Sequence, residues 1–418
     1  MNDPYEIMRD RGTRNSSSVL VVTERCWPDG GGGELATHLI LDILRKRFDV
    51  AVVTGTANPS RLPGVRYVYE PLLSKWEKPI LWLNTLRFVH IQRFQKLLRE
   101  SGVVYIPRFA FPIIPYAKKL GKKVVVHLHG YIPISYTATV LAPYEEHKHR
   151  ITLDDIRLEY MKSYKHCIGA SLLWWLPKLA RKWISQADKI ICVSRRQAEI
   201  IADQAPELRD KIEVVYNPLP PEIIDAEPRK ELDNTPTFLY VGGDSYVKGF
   251  HMLLKAVKEL GKQEVKARTI LAGEYGSDNL KTLNELRSRY RGLEVLVLGR
   301  VSHDEILKLH EKLWGLVFPS IVEEPLPYAV VEAMALGTIP IASSVGGVPE
   351  IIGDCPAKKF LFKPGSIDDL IEKLKIFTLQ SKESILGLAM ECKNRIVEIF
   401  NKENIERKIV EVFKELLN

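Results

Sequence analysis

The segment FPSIVEEPLPYAVVEAMALGTIP, from Phe318 to Pro340, constrains the fold of this chain more than any other stretch. Its apolar start predicts the end of a strand, followed by a proline-punctuated loop and a helix. Pro327 suits the first position of that helix because proline has no N–H group to leave unpaired. Gly337 is typical of the residue that ends a helix, and a new apolar run begins at Thr338. The segment therefore predicts a strand, a helix and a second strand in succession.

Two glutamates flank the predicted start of this helix. Glu324 precedes it, and Glu332 lies about two turns into it. Amide groups at a helix N-terminus bind phosphate, and carboxylates beside them bind hydroxyl groups. The segment is therefore suited to a ligand with a diphosphate in its middle and a sugar at both ends.

Length and composition narrow the class of protein. A chain of 418 residues is long enough to form two domains. Its contents of 45% hydrophobic and 27% charged residues are ordinary for a globular protein. A net charge of +8 allows phosphate-rich ligands, nucleic acid or an anionic membrane surface without choosing among them. The five cysteines have no CxxC spacing, which argues against a disulfide framework or zinc site and favours a reducing compartment.

Residues 1–17 are polar and predict a flexible lead-in without a signal peptide. No run approaches the roughly 18 apolar residues of a membrane-spanning helix. We therefore expect a cytoplasmic protein and leave peripheral contact with the inner face of the membrane open.

The first half of the chain predicts a parallel α/β sheet, because apolar β-rich runs alternate with helical patterns. The predicted strands are SVLVVTE, DVAVVTG, RYVYEP, VVYIP and KKVVVHLHG, and Trp76–Glu100 is mostly helical. Gly30–Gly33 form a loop between a strand and a helix, which lets backbone approach a ligand closely. Without GxGxxG spacing, a flexible loop that binds nothing is about as good an interpretation.

One predicted strand ends in histidines. Alternation places His127 and His129 on the same face, with Gly130 beyond them. Functional residues of parallel sheets gather at the carboxyl ends of the strands. A lone histidine is more often structural, but a strand-end histidine directly before glycine favours a ligand contact, and we predict this role for His129.

The segment Leu172–Trp183 combines tryptophans with lysine and arginine. A basic, aromatic helix of this kind is typical of a membrane interface. The slightly favoured alternative is a helix packed in the core, with its lysines exposed and with an interruption at Pro177.

The second half follows a proline-rich linker and repeats the strand–helix pattern, with glycine and charge concentrated at the predicted strand ends. In a parallel sheet such loops converge on one crevice, and Lys248 in a glycine-flanked loop suits a diphosphate. The residues concerned are Gly242, Gly243, Lys248, Gly273, Glu274, Gly299, Arg300, Glu324, Gly346 and Gly347. The two halves together predict an α/β protein of two Rossmann-like, parallel-sheet domains facing one another across a cleft.

Motifs for several other chemistries are missing from the sequence. It has no DxD, no HExxH, no GxSxG elbow and no P-loop. We therefore expect neither a metal nor a cofactor, and we expect cationic side chains and helix N-termini to stabilise any phosphate leaving group.

Several landmarks together resemble one family. They are similar to those of the retaining GT-B glycosyltransferases of family four, the glycosyl transferases group 1. The matching pieces are GGGGE, the VSR and YNP strand exits, the KG loop at Lys248 and Gly249, LGRVSHDEI, the Glu-x7-Glu pattern of Glu324 and Glu332, and SVGGVPEII. The resemblance covers most of the chain, with Tyr131–Trp183 the least matched. It implies transfer of a sugar from a nucleotide-diphosphate donor to a sugar or lipid-linked acceptor.

The resemblance also implies roles for single residues. In the donor site, it implies that Glu332 contacts the ribose, Glu324 the donor sugar and Lys248 the diphosphate, and that Arg300 and Val301 lie beside the base. It also implies that His129 lies near the reacting sugar. Gly31, Gly32 and Gly33 would lie near the donor phosphates or the acceptor. We take His129, Glu324 and Lys248 as candidate catalytic residues, and add Gly242, Gly243, Gly273, Leu326 and Tyr328 to the donor site. Residues 1–218, with a C-terminal helix of about 404–418 packed back on them, form the implied acceptor domain, and residues 219–403 the donor domain.

The chain departs from the family pattern at two places. Gly243 stands where the family usually has an arginine, so one cation for the diphosphate is missing. Pro325, Leu326 and Pro327 stand where Gly-Phe-Gly is common, and the two prolines offer no N–H group to the sugar. Leu326 and Tyr328 still offer theirs.

The expected function is metal-independent, retaining glycosyl transfer from a nucleotide sugar, with no nucleic acid partner. Two alternatives stay open. A nucleotide-sugar epimerase or hydrolase of the same fold needs a further acid/base carboxylate, and a nucleotide-sugar-binding protein with little turnover is motivated by Gly243 and the two prolines.

Overall fold

The computed structural model describes residues 18–75, 77–290 and 292–417. The predicted lead-in, residues 1–17, and Trp76 lie outside these residues, as does residue 418. Trp76 began the predicted helical stretch that ends at Glu100.

A parallel sheet forms in the first half because its apolar runs are buried on both faces, as Val19–Val22 illustrate. Its described strands in chain order are β1 (Ser18–Thr23), β2 (Asp49–Thr54), β3 (Arg66–Tyr69), β4 (Val103–Ile106), β5 (Lys123–Leu128), β6 (Lys189–Cys192) and β7 (Ile212–Val214). Across the sheet their order is β3-β2-β1-β4-β5-β6-β7. The pairings from β3 to β5 are parallel, which confirms the predicted strands of this half.

A second parallel sheet forms from the later strands. Its described strands are β8 (Thr237–Val241), β9 (Ala267–Ala272), β10 (Leu293–Gly299), β11 (Gly315–Phe318), β12 (Ile339–Ser343) and β13 (Leu361–Phe362). Their order is β10-β9-β8-β11-β12-β13, with parallel pairing throughout. The order places β8 and β11 side by side at the centre, so the loops that follow them share one edge of the sheet.

Helices connect the strands of both sheets. The first ten described are α1 (Gly32–Leu44), α2 (Lys78–Phe88), α3 (Gln92–Glu100), α4 (Ile113–Lys119), α5 (Tyr144–His147), α6 (Ile151–Lys162), α7 (Tyr164–Leu172), α8 (Leu176–Ile184), α9 (Arg195–Gln204) and α10 (Pro221–Ile224). The rest are α11 (Phe250–Lys262), α12 (Ser277–Arg289), α13 (His303–Leu309), α14 (Tyr328–Ala335), α15 (Val348–Ile352), α16 (Ile367–Thr378), α17 (Lys382–Ile399) and α18 (Lys402–Leu417). The predicted helical stretch up to Glu100 is thus two helices, α2 and α3. No helix in the described ranges has the length and apolar character needed to cross a bilayer.

The described residues divide into two compact units. The first takes in those of Met1–His127, Lys182–Ile191 and Lys408–Asn418, and the second those of Leu128–Arg181 and Cys192–Arg407. In the first unit, Phe413 of α18 is fully buried and lies edge-on to Tyr105, with ring centroids 5.3 Å apart. The predicted C-terminal helix is present as α18.

The segment Phe318–Pro340 folds as the predicted succession of β11, α14 and β12. Pro327 is the residue before the helix rather than its first residue, since α14 begins at Tyr328. Gly337 ends the helix with a φ of 72°, a conformation that favours glycine.

Candidate active site

Lys248 and Glu324 form an ion pair in the second unit. The Lys248 ammonium lies 2.6 Å from Glu324 Oε1, and the same oxygen accepts a hydrogen bond of 3.1 Å from the Ser320 hydroxyl. The Lys248 side chain is 39% exposed and that of Glu324 is 14% exposed. The pair is therefore accessible to a ligand while the carboxylate is largely enclosed.

Packing between two strand-end loops creates this pair. The Ile321 amide donates to the Val247 carbonyl at 3.1 Å, so the loop after β11 is held against the loop after β8. Gly249 has a φ of 76°, and a Cβ there would lie 1.8 Å from the Pro319 carbonyl oxygen. Glycine beside Lys248 is thus required for the close approach of the two loops.

Glu323, adjacent to Glu324, is buried in a different set of contacts. It is 3% exposed. One carboxylate oxygen accepts from the Tyr144 amide at 2.7 Å and faces the Arg196 guanidinium at 3.4 Å, and the other accepts from the Gly346 amide at 2.6 Å. Sequence reasoning gave Glu323 no separate role. Its contacts fix the loop that carries Glu324.

Glu332 lies on α14 and pairs with a histidine that sequence reasoning missed. His303 Nε2 lies 2.8 Å from Glu332 Oε1, and the Glu332 side chain is 7% exposed. His303 is the first residue of α13, directly after the N-cap Ser302, which forms a capping box with Glu305. That S-x-x-E pattern was the available signal, since it placed His303 at a helix start following a strand.

The hydrogen bond that His303 makes to the Glu332 carboxylate raises the pKa of His303 above its ordinary 6.5. Burial lowers this pKa, and the charges of Glu332, Asp304 and Glu222 raise it. Glu332 belongs to α14, Asp304 to α13 and Glu222 to α10. The folded protein therefore stabilises the protonated imidazole of His303 relative to the unfolded chain.

Replacing His303 by asparagine is expected to cost more stability at low pH than at high pH. A raised folded-state pKa adds stability that is fully present below the unfolded pKa and is lost as the pH rises through the folded pKa. Urea unfolding of both proteins from about pH 6 to about pH 9 measures this difference, which should shrink as the pH rises. A difference that is constant or grows with pH would contradict the pairing.

The glycines of the strand-end loops pack against one another. Gly243 has a φ of 57°, and a Cβ there would lie 2.5 Å from the Glu274 carbonyl oxygen; a Cβ on Gly273 would lie 2.5 Å from the Gly243 amide nitrogen. The loops after β8 and β9 therefore touch backbone to backbone. This explains the glycine at the position where the family usually has arginine, because this backbone leaves no room for a side chain.

Asp244, next to Gly243, ties the same two loops together. Its carboxylate accepts from the Gly276 amide at 2.7 Å and from the Asn279 side chain at 2.9 Å. The hydrogen bond from Gly276 is the main reason that the pKa of Asp244 is lowered. Asp244 thus acts within the loops as their cross-link.

The other predicted donor-site residues lie around this centre. Gly242 follows β8 and is half-buried, and its amide lies 3.3 Å from the Ala272 carbonyl oxygen. Arg300 is 86% exposed and 3.7 Å from an exposed Glu274 carboxylate, and Val301 is half-buried. An exposed pair of this kind contributes little to stability, so the Arg300 guanidinium is available to a ligand.

Leu326 and Tyr328 are both half-buried on either side of Pro327. The Tyr328 hydroxyl donates to the Pro218 carbonyl at 2.8 Å. Burial raises the pKa of Tyr328 well above its ordinary value. The side chain of Tyr328 is thus committed to the protein, and what it offers a ligand is its backbone.

His129 follows β5 and is half-exposed, whereas His127 lies inside the strand and is buried. Because β5 ends at Leu128, the strand alternation expected to place both histidines on one face does not extend to His129. In the first unit, His127 Nδ1 lies 2.8 Å from the Tyr105 hydroxyl, and burial lowers the pKa of His127 to about 3. His127 is therefore a neutral core residue.

Gln197 fixes the backbone around His129 and was also missed. Its side-chain amide donates to the carbonyls of Leu128 at 3.0 Å and Gly130 at 3.2 Å, the residues on either side of His129. Gln197 is fully buried, and its backbone N–H donates to the hydroxyl of Ser194, the N-cap residue of α9. The S-x-x-Q pattern of SRRQ was the signal for this arrangement.

Gly31, Gly32 and Gly33 belong to the first unit, with Gly31 as the N-cap residue of α1 and Gly32 and Gly33 as its first two residues. Gly31 and Gly32 are exposed, and Gly33 is half-buried. Glu34 accepts from the Gly31 amide at 2.9 Å and pairs with Arg108 at 2.6 Å. The glycine loop is thus held at its helix start, and its exposed backbone is open to a ligand.

The described ranges contain no group of three or more His, Cys, Asp or Glu side chains arranged to hold a metal ion.

The protein has two parallel β-sheets connected by helices. A lysine, two glutamates and glycine loops follow the strands of the second sheet. These features define the GT-B class of glycosyltransferase folds. The Anabaena Alr3699/HepE structure in complex with UDP-glucose matches with a TM-score of 0.65 and 18% identity, covering 96% of this chain and 100% of that one. Sucrose-phosphate synthase from Thermosynechococcus elongatus matches with a TM-score of 0.71 and 15% identity, covering 96% and 99%. The predicted fold class is therefore confirmed.

Family models cover most of the chain. One described as glycosyl transferases group 1 matches residues 223–386, and one described as glycosyltransferase family 4 matches residues 30–223. The chain belongs to the group 1 glycosyltransferases, as predicted.

Individual relatives match over different lengths. The MMP alpha-(1->4)-mannosyltransferase of Mycolicibacterium hassiacum is 24% identical over 93% of this chain and 95% of that protein. The phosphatidylinositol N-acetylglucosaminyltransferase gpi3 subunit of Schizosaccharomyces pombe is 28% identical over 47% of this chain and 42% of its own length. The uncharacterized glycosyltransferase MJ1607 of Methanocaldococcus jannaschii is 26% identical over 62% of each. The chain thus spans less than two thirds of the latter two proteins.

Proposed function

We propose that this protein is a retaining glycosyltransferase that moves a sugar from a nucleotide-diphosphate donor to a sugar or lipid-linked acceptor without a metal ion. The observation that carries the proposal is the pair of Lys248 and Glu324, with nitrogen and oxygen 2.6 Å apart on two loops that follow adjacent strands. The pair offers a cation to a diphosphate and a carboxylate to sugar hydroxyls in one place.

Donor binding is proposed to extend from this pair along α14. Glu332, held by His303, is suited to the ribose hydroxyls because its second carboxylate oxygen is not used by that histidine. Arg300 is proposed to lie beside the base, together with Val301. The amides of Leu326 and Tyr328 are proposed to face the donor sugar, since Pro325 and Pro327 have none to offer.

The names of relatives support a nucleotide-sugar donor. Alr3699/HepE was crystallised with UDP-glucose, and the mannosyltransferase and N-acetylglucosaminyltransferase relatives are named for sugar transfer. The gpi3 relative is named for phosphatidylinositol, which is the basis for including a lipid-linked acceptor.

We propose that transfer occurs on one face of the sugar. The bond between the anomeric carbon and the diphosphate oxygen breaks as the bond to the acceptor oxygen forms, and the acceptor proton passes to the leaving diphosphate. Lys248 stabilises the charge that develops on that leaving group. No protein nucleophile is required, and His129 is proposed to lie near the reacting sugar.

The proposed division of labour follows the expected domains. Residues 1–218, together with a helix of about 404–418, bind the acceptor, and residues 219–403 bind the donor. The glycines Gly31–Gly33 then serve the donor phosphates or the acceptor. We propose that this reaction takes place in the cytoplasm.

The direct test is incubation of the purified protein with a panel of UDP-, GDP- and ADP-sugars and with soluble-sugar and lipid-linked acceptors. We expect transfer, a product whose anomeric configuration matches that of the donor, and full activity in EDTA. NMR of the product reads the configuration. An inverted product would overturn retention, and loss of activity in EDTA that is restored by a divalent ion would overturn metal independence.

The same panel separates the alternatives. An epimerase changes the donor sugar without an acceptor, and a hydrolase releases free sugar at the same rate with and without acceptor. A binding protein shows tight donor binding with no turnover for any pair. Each of these three results would contradict glycosyl transfer.

A further inference from the structure

Between His149 and Lys178, basic side chains are exposed and acidic side chains are buried. Every residue of this stretch is described, and its exposed charged side chains are all basic: Arg150, Arg157, Lys162, Lys165 and Lys178. Its three acidic residues, Asp154, Asp155 and Glu159, are buried. The stretch therefore presents net positive charge to its surroundings.

The buried acids are used inside the protein. Asp155 accepts hydrogen bonds from the hydroxyls of Ser135 and Thr137 and from the amides of Tyr136 and Thr137. Asp154 lies 2.7 Å from His147 Nδ1. Asp154 also lies 3.6 Å from the guanidinium of exposed Arg150, and Glu159 pairs with exposed Lys162 at 2.6 Å. These pairs partly offset two of the five cations, and the charge that the stretch presents comes mainly from Arg157, Lys165 and Lys178.

The same stretch exposes large apolar and aromatic side chains. Leu153 and Tyr160 lie with Arg157 at helical spacing on one face of α6, and Tyr164 and Leu172 lie at such spacing on α7. The exposed set is Leu153, Tyr160, Met161, Tyr164, Ile168, Leu172, Trp174 and Trp175. The helices α6 and α7 pack against each other, and we call these exposed apolar and basic side chains the α6–α7 surface.

The turn after α7 adds a tryptophan–lysine pair. The Lys178 ammonium lies 4.7 Å from the centre of the Trp174 ring. Trp174 and Trp175 are 47% and 43% exposed, whereas Leu176, Ala180 and Ile184 of the following α8 are buried. The segment Leu172–Trp183, which the sequence offered for membrane contact, is therefore divided. Leu172, Trp174 and Trp175 at its start are exposed, and α8, which follows them, turns its apolar face inward.

We propose that the α6–α7 surface docks on an anionic lipid bilayer. Tryptophan and tyrosine have an apolar body and a polar tip, and they are favoured at the boundary between headgroups and acyl chains. Lysine and arginine extend their charged ends toward headgroup phosphates while their stems cover apolar surface. The surface combines both features, and no carboxylate of residues 149–178 is exposed to repel anionic lipid. The exposed Glu145 and Glu146 precede this stretch.

A second copy of this chain fits the surface less well. A two-fold interface brings each patch against itself, so the five exposed basic residues would face the same five with no exposed acid of this stretch between them. Protein interfaces are also depleted of lysine at their centres. An anionic bilayer supplies the negative charge that the exposed basic residues of the surface would lack against a second copy.

The test is co-sedimentation of the full chain with phosphatidylcholine vesicles, with and without phosphatidylglycerol. We expect binding only to the anionic vesicles, weakened by salt, with a blue shift of tryptophan emission. Leu172→Glu should lower the partition coefficient by about tenfold or more, because it replaces an inserted apolar side chain with a charge. Lys165→Glu should lower it by about fivefold or more.

Two matched variants control these changes. Leu379 is 84% exposed and Lys281 is exposed, and both lie in the second unit outside the α6–α7 surface. Leu379→Glu and Lys281→Glu should leave the partition coefficient within about twofold. Far-ultraviolet circular dichroism of each variant confirms that it is folded.

Three results would overturn the proposal. They are no binding of the wild-type chain to anionic vesicles, equal losses in Leu172→Glu and Leu379→Glu, and a wild-type dimer that Leu172→Glu dissociates in the absence of vesicle binding. The measurement needs neither donor nor acceptor. Its failure is therefore distinct from failure of the proposed glycosyl transfer, which is measured as product formed from donor and acceptor without vesicles.

Discussion

Lys248→Ala protein is expected to lose about 100- to 1,000-fold in kcat/KM with its nucleotide-diphosphate donor, since removing one preorganised stabiliser of a leaving group has effects of that size. The Lys248 ammonium is the cation that the structure holds beside Glu324, and the glycine at position 243 leaves no room for a second one there. Removing it also leaves the Glu324 carboxylate to repel the donor phosphates. Steady-state kinetics with the donor identified by the panel measures the loss.

Two further variants separate those contributions. If Lys248 only neutralised Glu324, the double variant Lys248→Ala/Glu324→Gln would be as active as Glu324→Gln alone. If Lys248 stabilises the leaving diphosphate, the double variant is much less active than Glu324→Gln, which is the result we expect. Lys281→Ala, which changes an exposed lysine on α12 of the same unit, should be unaffected. A loss of less than about threefold in Lys248→Ala would be incompatible with the proposed role.

The fold was accessible to sequence reasoning because its signals are local. Each strand is a short apolar run, and helix ends carry residues that suit only those positions, as Gly337 does with its φ of 72°. The small errors are also local. Proline suits the N-cap position of a helix as well as its first position, and Pro327 occupies the N-cap. The helical stretch before Glu100 is interrupted between α2 and α3.

Side-chain partners of the site were less accessible because they depend on residues far apart in sequence. Lys248 and Glu324 are 76 positions apart, and His303 and Glu332 are 29 apart. Nothing in the sequence between them encodes a distance. Only the strand order, which places β8 next to β11, brings Lys248 to Glu324.

Adjacent residues of one type show the same limit. Glu323 and Glu324 are identical in chemistry, yet Glu323 is buried among backbone amides and an arginine, while Glu324 meets Lys248. Gly243 gives the reverse case. From sequence it is a lost arginine, and from the backbone it is a position where a Cβ would lie 2.5 Å from a carbonyl oxygen. Sequence identifies the residue types at this site, and packing decides their roles.

Glu332→Ala protein is expected to bind the donor's nucleoside diphosphate about 100-fold more weakly, because two ribose hydroxyls lose a charged acceptor. The carboxylate is 7% exposed and is oriented by His303 at 2.8 Å, so little reorganisation is needed when the ribose binds. Titration calorimetry with UDP, GDP and ADP measures the affinity for each. Glu285→Ala, at an exposed position of α12, is the matched control and should bind like the wild-type chain.

A nucleotide without the hydroxyls distinguishes a ribose contact from a general loss of structure. If Glu332 accepts from the ribose, the 2′,3′-dideoxynucleoside diphosphate binds the wild-type chain about as weakly as Glu332→Ala binds the normal nucleotide, and the two changes together cost little more than either alone. If Glu332 only supports the packing of α14, the two losses add, and the proposed contact is excluded. A drop in affinity alone is compatible with a ribose contact and with a structural role of Glu332 in α14. The coupling between Glu332 and the ribose hydroxyls therefore decides between these two roles.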